Sequence, residues 1–360
     1  MQSIEYQITA PKKIKRNSVN RQEPDEKGCL VRVSHTQVCD ADAKYYYGLR
    51  PKFYSIFGFR YFYGVRNEKK FMSKYPLVPF HEAIGLIEKA GKKTKLQLGT
   101  RVVLIPNIPC ENPECEYCST GNENYCEKSK FMSSNAPGFA RTFVILPENC
   151  VARIPDEVPN EIAIHTEMST VAYGGIIASE IKKEDIVAVF GDGYLSLILS
   201  ALLSNVFNLP REKLVVFGIH DDKLFRFSEF SNTINLKKQK TPELKFTKIF
   251  ECVGKRSAEE TLDIAIRIIK PKGTITLLGV SEEKVPINTR NILSKSITLR
   301  GVSRSPAKYY PLVLQAMRSK RLQKILNKIV GKKIKITSDK EIKKSFEEFM
   351  INRKKVLMEW

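Results

Sequence analysis

Cys110, Cys115, Cys118 and Cys126 crowd into seventeen residues, in the run PCENPECEYCSTGNENYC. The spacing C-x4-C-x2-C-x7-C sets four thiolates on one short loop, the donor set of a closed tetrahedral zinc site. The loop is rich in asparagine and proline and poor in apolar residues, so a ligand has to supply its order. Structural zinc does this with about 10 kcal/mol or more of binding energy coupled to folding. Two disulfides would use the same cysteines but belong to an oxidising compartment. Four cysteines leave no position for a substrate, so this lobe serves the fold and not the chemistry.

A second set is mixed and scattered. Cys39 stands in VSHTQVCDADAKYY, His81 and Glu82 in VPFHEAIGLIEKAG, and Glu167 in IHTEMSTVAYGG. One Cys, one His and one or two Glu make three protein ligands with a fourth position open, the pattern of a catalytic zinc. On residue type alone, each has an ordinary structural role as its rival. The chain holds four histidines, and two of them, His35 and His165, match no ligand pattern and read as packing or surface residues.

The third set is a glycine turn. IVAVFGDGYLSL reads as a buried strand, then Gly191, Asp192, Gly193, Tyr194 and Leu195 opening a helix. Glycine there lets the backbone approach a pyrophosphate at a helix N-terminus. The third fingerprint position is Ser196 instead of glycine, which predicts looser helix packing. The next strand ends at Gly218, where NAD enzymes carry a carboxylate for the ribose 2′-hydroxyl. Glycine leaves room for a 2′-phosphate, with His220, Lys223 and Arg226 following to bind it, so NADP(H) is expected. Asp221 and Asp222 read as caps of the next helix.

The elements that position these sets change character along the chain. Up to about residue 155, short strand-like runs such as CLVRVSHTQV and TRVVLIPN alternate with Pro- and Gly-rich turns, predicting a β-rich, barrel-like unit. Residues 156–300 alternate apolar strands with helices, predicting a parallel sheet covered on both faces. Residues 301–360 read as helices and a last strand, KKVLMEW, returning to the first domain.

With 360 residues and 42% hydrophobic composition the chain can bury two cores. Cys29, Cys150 and Cys252 lie singly in apolar runs and read as small buried hydrophobes. The first residues form no apolar signal region, and no run nears the ~18 apolar residues of a membrane span. A cytoplasmic protein with no membrane partner is expected. The net charge of +21 suits a solvated basic surface or steering of an anionic substrate. No homeodomain, RNP or finger pattern accompanies it, which argues against nucleic acid.

Together these runs resemble the zinc-containing medium-chain dehydrogenase/reductase family. The matching residues are Cys39 with Asp42 three on, His81-Glu82 followed by glycine, the cysteine lobe, IPDEV, GDGYLSL and ECVG. The resemblance covers nearly the whole chain. It implies an α/β protein with a GroES-like catalytic domain over 1–155, carrying a structural zinc lobe over about 107–128. A Rossmann domain over 156–300 follows. Two zinc ions are implied, the catalytic one on Cys39, His81 and Glu167 or Glu82, and Val253, Gly279 and Val280 join the cofactor site.

Within the family the chain most resembles the ribulose-5-phosphate reductases, through CDADAKYYYG, HTEMSTV, FECVGKR and LLGVSEEKVPINTRNILSKSITLRGVSRS. That implies NADPH-linked reduction of D-ribulose 5-phosphate to D-ribitol 5-phosphate, a homodimer, and a cytidylyltransferase of the same pathway as partner. Lys44 and Arg50 are expected on the substrate phosphate, with Arg60 a weaker candidate. Two features depart from the pattern. The lobe has two residues more than the family's usual spacing, and Ala41 stands where a Ser or Thr relays protons. Tyr45, Glu82 or water then carries the proton. The alternatives are a zinc polyol or alcohol dehydrogenase for another substrate, or a nucleic-acid-binding or scaffold protein on the same fold. The aromatic and Arg-rich segment RPKFYSIFGFRYFYGVRNEKKF reads as a lid, a partner surface, a nucleic-acid contact or a local packing elaboration.

Overall fold

The computed structural model describes residues 2–49, 75–241, 243–281 and 284–360. Two compact units emerge, Met1–Glu167 with Ser305–Trp360, and Met168–Arg304. The junctions expected near 155 and 300 thus fall at 167/168 and 304/305.

The first unit opens with a hairpin of β1 (Gln2–Ala10) and β2 (Lys13–Asn20). Ile4, Tyr6 and Ile8 alternate with polar residues, and Tyr6 and Ile8 are buried, which is the period of a half-buried strand. Next come β3 (Gly28–Gln37), β4 (Glu82–Ala90), β5 (Arg101–Leu104), β6 (Asn107–Ile108), β7 (Lys130–Phe131), β8 (Phe143–Pro147) and β9 (Val151–Arg153).

The second unit contributes β10 (Val187–Phe190), β11 (Leu214–Gly218), β12 (Asn232–Asn235), β13 (Phe246–Glu251), β14 (Ile269–Leu277) and β15 (Thr298–Gly301). The chain then rejoins the first unit with β16 (Val330–Lys335) and β17 (Lys355–Glu359).

The main sheet of the first unit runs β16-β17-β3-β4-β5-β9. Strand β3 organises it: β4 pairs along one edge, while the other edge is shared by β8 at its start and β17 at its end. A core of Tyr6, Ile8, Tyr45, Tyr46, Phe80, Phe346 and neighbours fills the space beside it. The helix Asp339–Asn352 enters this core through Ile342, Phe346 and Phe349, at helical spacing. Ser338 and Glu341 form its capping box.

In the second unit all six strands are parallel, in the order β12-β11-β10-β13-β14-β15. This is the doubly wound arrangement whose strand order reverses between β10 and β13, and ligands of such sheets bind beyond the strand ends at that point. Strand β10, VAVF, is buried throughout, as a sheet covered on both faces requires.

Candidate active site and cofactor cradle

The register of three strands builds the mixed cluster. Cys39 follows β3 and caps the helix Asp40–Tyr46, while His81 immediately precedes and Glu82 opens the antiparallel β4. Opposed registers set Gln37 across from Glu82 on one side and from Leu357 on the other. Lys355 lies two residues before Leu357, so it shares the face of β17 that Leu357 presents.

One ligand atom each from Cys39, His81 and Glu82 lies within 4.8 Å of the others. A soft thiolate, an imidazole and a carboxylate within reach of one ion fit zinc, for which ligand distances are about 2.0–2.3 Å. Glu167, in the first turn of the helix Thr166–Ser179, is buried near them but lies outside that group of three. Burial pushes its carboxyl up to about 7, against the pull of His81. Of the two glutamates expected as alternatives, Glu82 is the one whose carboxylate lies within that group of three.

His81 is held from behind. Its Nδ1 lies 2.9 Å from Ser133 Oγ and 3.6 Å from Asp42 Oδ2. Asp42, almost fully buried, accepts the backbone N–H groups of Cys39 (3.3 Å) and Phe80 (3.0 Å). Phe80 takes the left-handed conformation at φ +72°, costly for a bulky residue, and its buried ring stacks on Phe346. One aspartate therefore fixes the backbone of the cysteine, the turn into His81 and the charge facing the imidazole. Burial disfavours charge on His81, but Asp42 and Cys39 outweigh it and its pKa stands well above the ordinary histidine value.

Glu82 is wholly buried. It accepts two hydrogen bonds from Lys355 Nζ (2.6 and 2.9 Å) and one from Gln37 Nε2. Burial alone would raise its pKa; Lys355 reverses the sign and keeps it ionised. Burial lowers and Glu82 raises the ammonium of Lys355, leaving it at about 12. Gln37 Nε2 also lies 3.3 Å from His165 Nδ1, and burial holds that imidazole neutral, with a pKa near about 3. His165 is a packing residue, as its sequence context implied, but packing at the edge of the site. His35 pairs with Ser34 Oγ at 3.0 Å and is half-buried.

Two expected proton carriers are placed poorly for that role. Tyr45 belongs to the apolar core, and Glu82 is bound by Lys355 and Gln37. Lys44 lies half-buried, its Nζ 3.8 Å from Asp40 Oδ2. Arg50, Arg60 and the aromatic segment around them lie outside the described residues. Asp42, Ser133, Gln37 and Lys355 carry roles that the sequence reading did not assign. A lysine directly before the apolar run Val356–Met358 was the available signal for Lys355; Ser133 had none.

In the lobe, one Sγ from each of Cys110, Cys115, Cys118 and Cys126 lies within 4.8 Å of the rest, and Cys115 and Cys126 are 3.7 Å apart. A tetrahedron with Zn–S bonds of about 2.3 Å has edges of about 3.8 Å. All eight cysteines are free thiols, so the disulfide alternative fails. The backbone N–H of Cys118 leads in drawing the Cys115 thiol down to about 7. The added residues between Cys110 and Cys115 are taken up in a turn ahead of the short helix Glu116–Ser119. Glu123, buried, accepts the backbone N–H of Ala307, and Lys308 Nζ donates to Asn122 Oδ1 at 2.9 Å, so the returning segment clamps the loop.

The cradle of the second unit lies at the ends of β10, β11 and β13. Gly191 has φ +118°, and a Cβ there would stand 2.8 Å from Ser196 Oγ. Ser196 is thus accommodated because Gly191 has no side chain, and at 1% exposure it does not loosen the helix Tyr194–Asn205 as expected. Around Gly193 the space is open, which leaves a pyrophosphate unobstructed beside Tyr194 and Leu195. Across the switch point, buried Glu251 accepts the N–H groups of Val253 (2.7 Å) and Gly254 (2.9 Å). A Cβ on Gly279 would meet the Gly254 nitrogen at 2.3 Å, and Val280 beyond it is exposed.

Gly218 does not leave the space expected of it. A Cβ there would meet Asp192 Cβ and Leu224 Cδ2, each at 2.8 Å. Asp192 Oδ2 fills the corner, accepting the N–H groups of Ile219 and His220 at 3.0 Å and pairing with His220 Nδ1 at 2.9 Å. Lys223 Nζ stands 3.8 Å from Asp192 Oδ1. Burial raises the Asp192 pKa, but these donors and cations outweigh it and the carboxylate is held below its ordinary value. Asp221 is the first residue of the helix Asp221–Leu224 rather than its cap. Its carboxylate is taken by Asn235 and Lys238, and His220 occupies the cap position. Arg226 sits over the Tyr194 ring at 5.9 Å.

Residues 25–156 match the alcohol dehydrogenase GroES-like domain, and residues 222–319 match the zinc-binding dehydrogenase domain. With a triad open to a fourth ligand and a doubly wound cofactor fold, the chain belongs to the zinc-containing medium-chain dehydrogenase/reductase family. Among its relatives, ribulose-5-phosphate reductase 1 of Staphylococcus aureus is 34% identical over 307 residues, covering 84% of this chain and 82% of that protein. The ribulose-5-phosphate reductase of Streptococcus pneumoniae is 31% identical over 359 residues, 99% of this chain and 96% of that protein. The crystal structure of S. aureus TarJ in complex with NADPH matches with a TM-score of 0.80 at 28% identity, over all of this chain and 99% of that one.

Proposed function

We propose that the protein is a zinc-dependent, NADPH-linked reductase that converts D-ribulose 5-phosphate to D-ribitol 5-phosphate. The supporting observation is near-full-length similarity to ribulose-5-phosphate reductases, at 31–34% identity over 84–99% of this chain. Zinc, when bound, supplies a Lewis acid for the ketone oxygen, and NADPH supplies the hydride. The chain's own residues do the rest. Cys39, His81 and Glu82 would hold the ion. Asp42 and Ser133 orient His81, and Lys355 keeps Glu82 ionised without a proton to exchange. Gly191, Gly193 and the open space beside them would admit the pyrophosphate, and His220 and Lys223, now beside Asp192, would be the cations available to the 2′-phosphate. Ala41 offers no hydroxyl, Tyr45 is in the core and Glu82 is bound, so water brings the proton to the alkoxide. Lys44 and Arg50 hold the substrate phosphate.

Among the described residues no helix is long and apolar enough to cross a membrane. A cytoplasmic homodimer, feeding ribitol 5-phosphate to a cytidylyltransferase, completes the reading.

The test compares ribulose 5-phosphate with ribulose, NADPH with NADH, at low and physiological salt. Higher kcat/KM for the phosphorylated sugar with NADPH is expected, falling as salt screens the basic surface. Losing one charge-assisted phosphate contact, in Lys44→Ala, should cost roughly 10–150-fold in kcat/KM. Equal rates on unphosphorylated ribulose would move the assignment to a general polyol dehydrogenase. Inactivity on every carbonyl, with zinc and NADPH bound, would leave a binding protein on this fold.

A further inference from the structure

Strands β10 and β11 run in parallel register, Phe190 against Phe217, and that register carries Asp192 to the backbone just beyond β11. There its Oδ2 accepts two successive N–H groups, from Ile219 and His220, each at 3.0 Å. The same oxygen pairs with His220 Nδ1 at 2.9 Å, and Lys223 Nζ stands 3.8 Å from Oδ1. The Asp192 side chain is 11% exposed, whereas His220 and Lys223 keep 43% and 36% of theirs open to solvent. A Cβ on Gly218 would stand 3.0 Å from Asp192 Oδ2, so the glycine makes room for this carboxylate.

Two backbone N–H groups, an imidazole and an ammonium converging on one point make a receptor for a compact anion. Its place, at the end of the second strand of the fold, is where a dinucleotide presents its ribose 2′ position. In this chain the receptor is filled from within. A phosphate monoester carries about −1.5 to −2 charge at pH 7, so it and Asp192 compete for the same donors and repel each other. A 2′-hydroxyl has the opposite relation to that carboxylate, since it donates to it and gains from its presence.

We propose that Asp192 is an internal stand-in for the 2′-phosphate, and that NADPH binds by displacing its carboxylate from Ile219, His220 and Lys223. The inference rests on the NADPH-linked reading above and names the residue that sets the strength of the preference. The displaced carboxylate has somewhere to go, because the space around the adjacent Gly193 is open. Asp192 thus narrows the discrimination between the two cofactors. It opposes the phosphate of one and accepts from the hydroxyl of the other.

The experiment titrates the zinc-loaded full chain with two fragments that differ only in the 2′-phosphate, adenosine 2′,5′-bisphosphate and adenosine 5′-monophosphate. Heats are recorded at constant ionic strength for wild type, Asp192→Asn and Asp192→Ser, so that no turnover enters the readout. Both variants should raise the ratio of bisphosphate to monophosphate affinity roughly tenfold, through a gain for the bisphosphate and none for the monophosphate. A carboxylate that only holds the turn would move both affinities together. A ratio that stays unchanged or falls overturns the proposal, and Asp192→Ser decides it alone should Asp192→Asn not fold. The wild-type ratio is the separate check on the NADPH reading: equal affinities there would remove that reading, whatever the variants do.

Discussion

The two cysteine-bearing clusters are built in opposite ways. In the lobe, four identical ligands come from seventeen consecutive residues, and the returning segment clamps the loop through Glu123 and Lys308. In the other, Cys39 and the His81-Glu82 pair come from the ends of two neighbouring strands, and their geometry depends on Asp42, Ser133, Gln37 and Lys355. The first cluster shapes its own loop and has no vacancy. The second is shaped by the sheet and leaves a coordination position for chemistry. Where ligands come from one loop, the ion makes the structure; where they come from several strands, the structure makes the site.

The largest expected effect separates the two directly. Cys39→Ser should lower kcat by about 10³-fold, since the metal contributes several kcal/mol of charge stabilisation, while the unfolding temperature barely moves. Cys115→Ser should do the reverse, losing one zinc per chain by elemental analysis and lowering the unfolding temperature. If Cys115→Ser folds as stably as wild type, the assignment of the lobe to the fold is wrong.

The support beneath the open site is next in size. In the zinc-free protein, Lys355→Met leaves buried Glu82 without its paired ammonium, and about 3–5 kcal/mol of stability should be lost in denaturant unfolding. Adding Glu82→Gln to that variant should recover much of the loss. A double-mutant cycle with no coupling would show that the pair is not what holds the strand ends together.

In the cradle, Gly218→Asp should destabilise the second unit by about 1–3 kcal/mol, because its Cβ meets Asp192 and Leu224. A clean exchange of NADPH for NADH preference without loss of stability would contradict that crowding. The smallest effect lies far from either cluster. Glu341 has its carboxyl drawn down to about 2, with the Ser338 hydroxyl foremost in the capping box. Its folded pKa is depressed, so its stabilising contribution is present above the ordinary carboxylate range and is lost as pH falls toward 2. Ser338→Ala should cost about 1 kcal/mol at neutral pH and flatten that acid dependence.

What the sequence disclosed follows the same division. The lobe was legible because its ligands are local, and the parallel sheet because apolar strands alternate with helices such as Ser257–Ile268. Cys39, His81 and Glu82 became a site only through family resemblance, since spacing along the chain says nothing about strands that pair in space. That Glu82 rather than Glu167 falls in the group with Cys39 and His81 depends on the pairing of β3 with β4. The hairpin β1–β2 went unread although Ile4, Tyr6 and Ile8 alternate, because the lysine-rich second strand hides the period. Gly218 misled because the neighbour that fills its space, Asp192, is distant in sequence and arrives through the parallel pairing of β10 and β11.

One measurement bears most directly on the claim that the open cluster carries the chemistry. NADPH oxidation is followed on adding D-ribulose 5-phosphate to wild type and to Cys39→Ser, at matched unfolding temperature and matched occupancy of the lobe. The account predicts steady turnover in wild type and none above background in the variant. Turnover by Cys39→Ser at a rate close to wild type would contradict it.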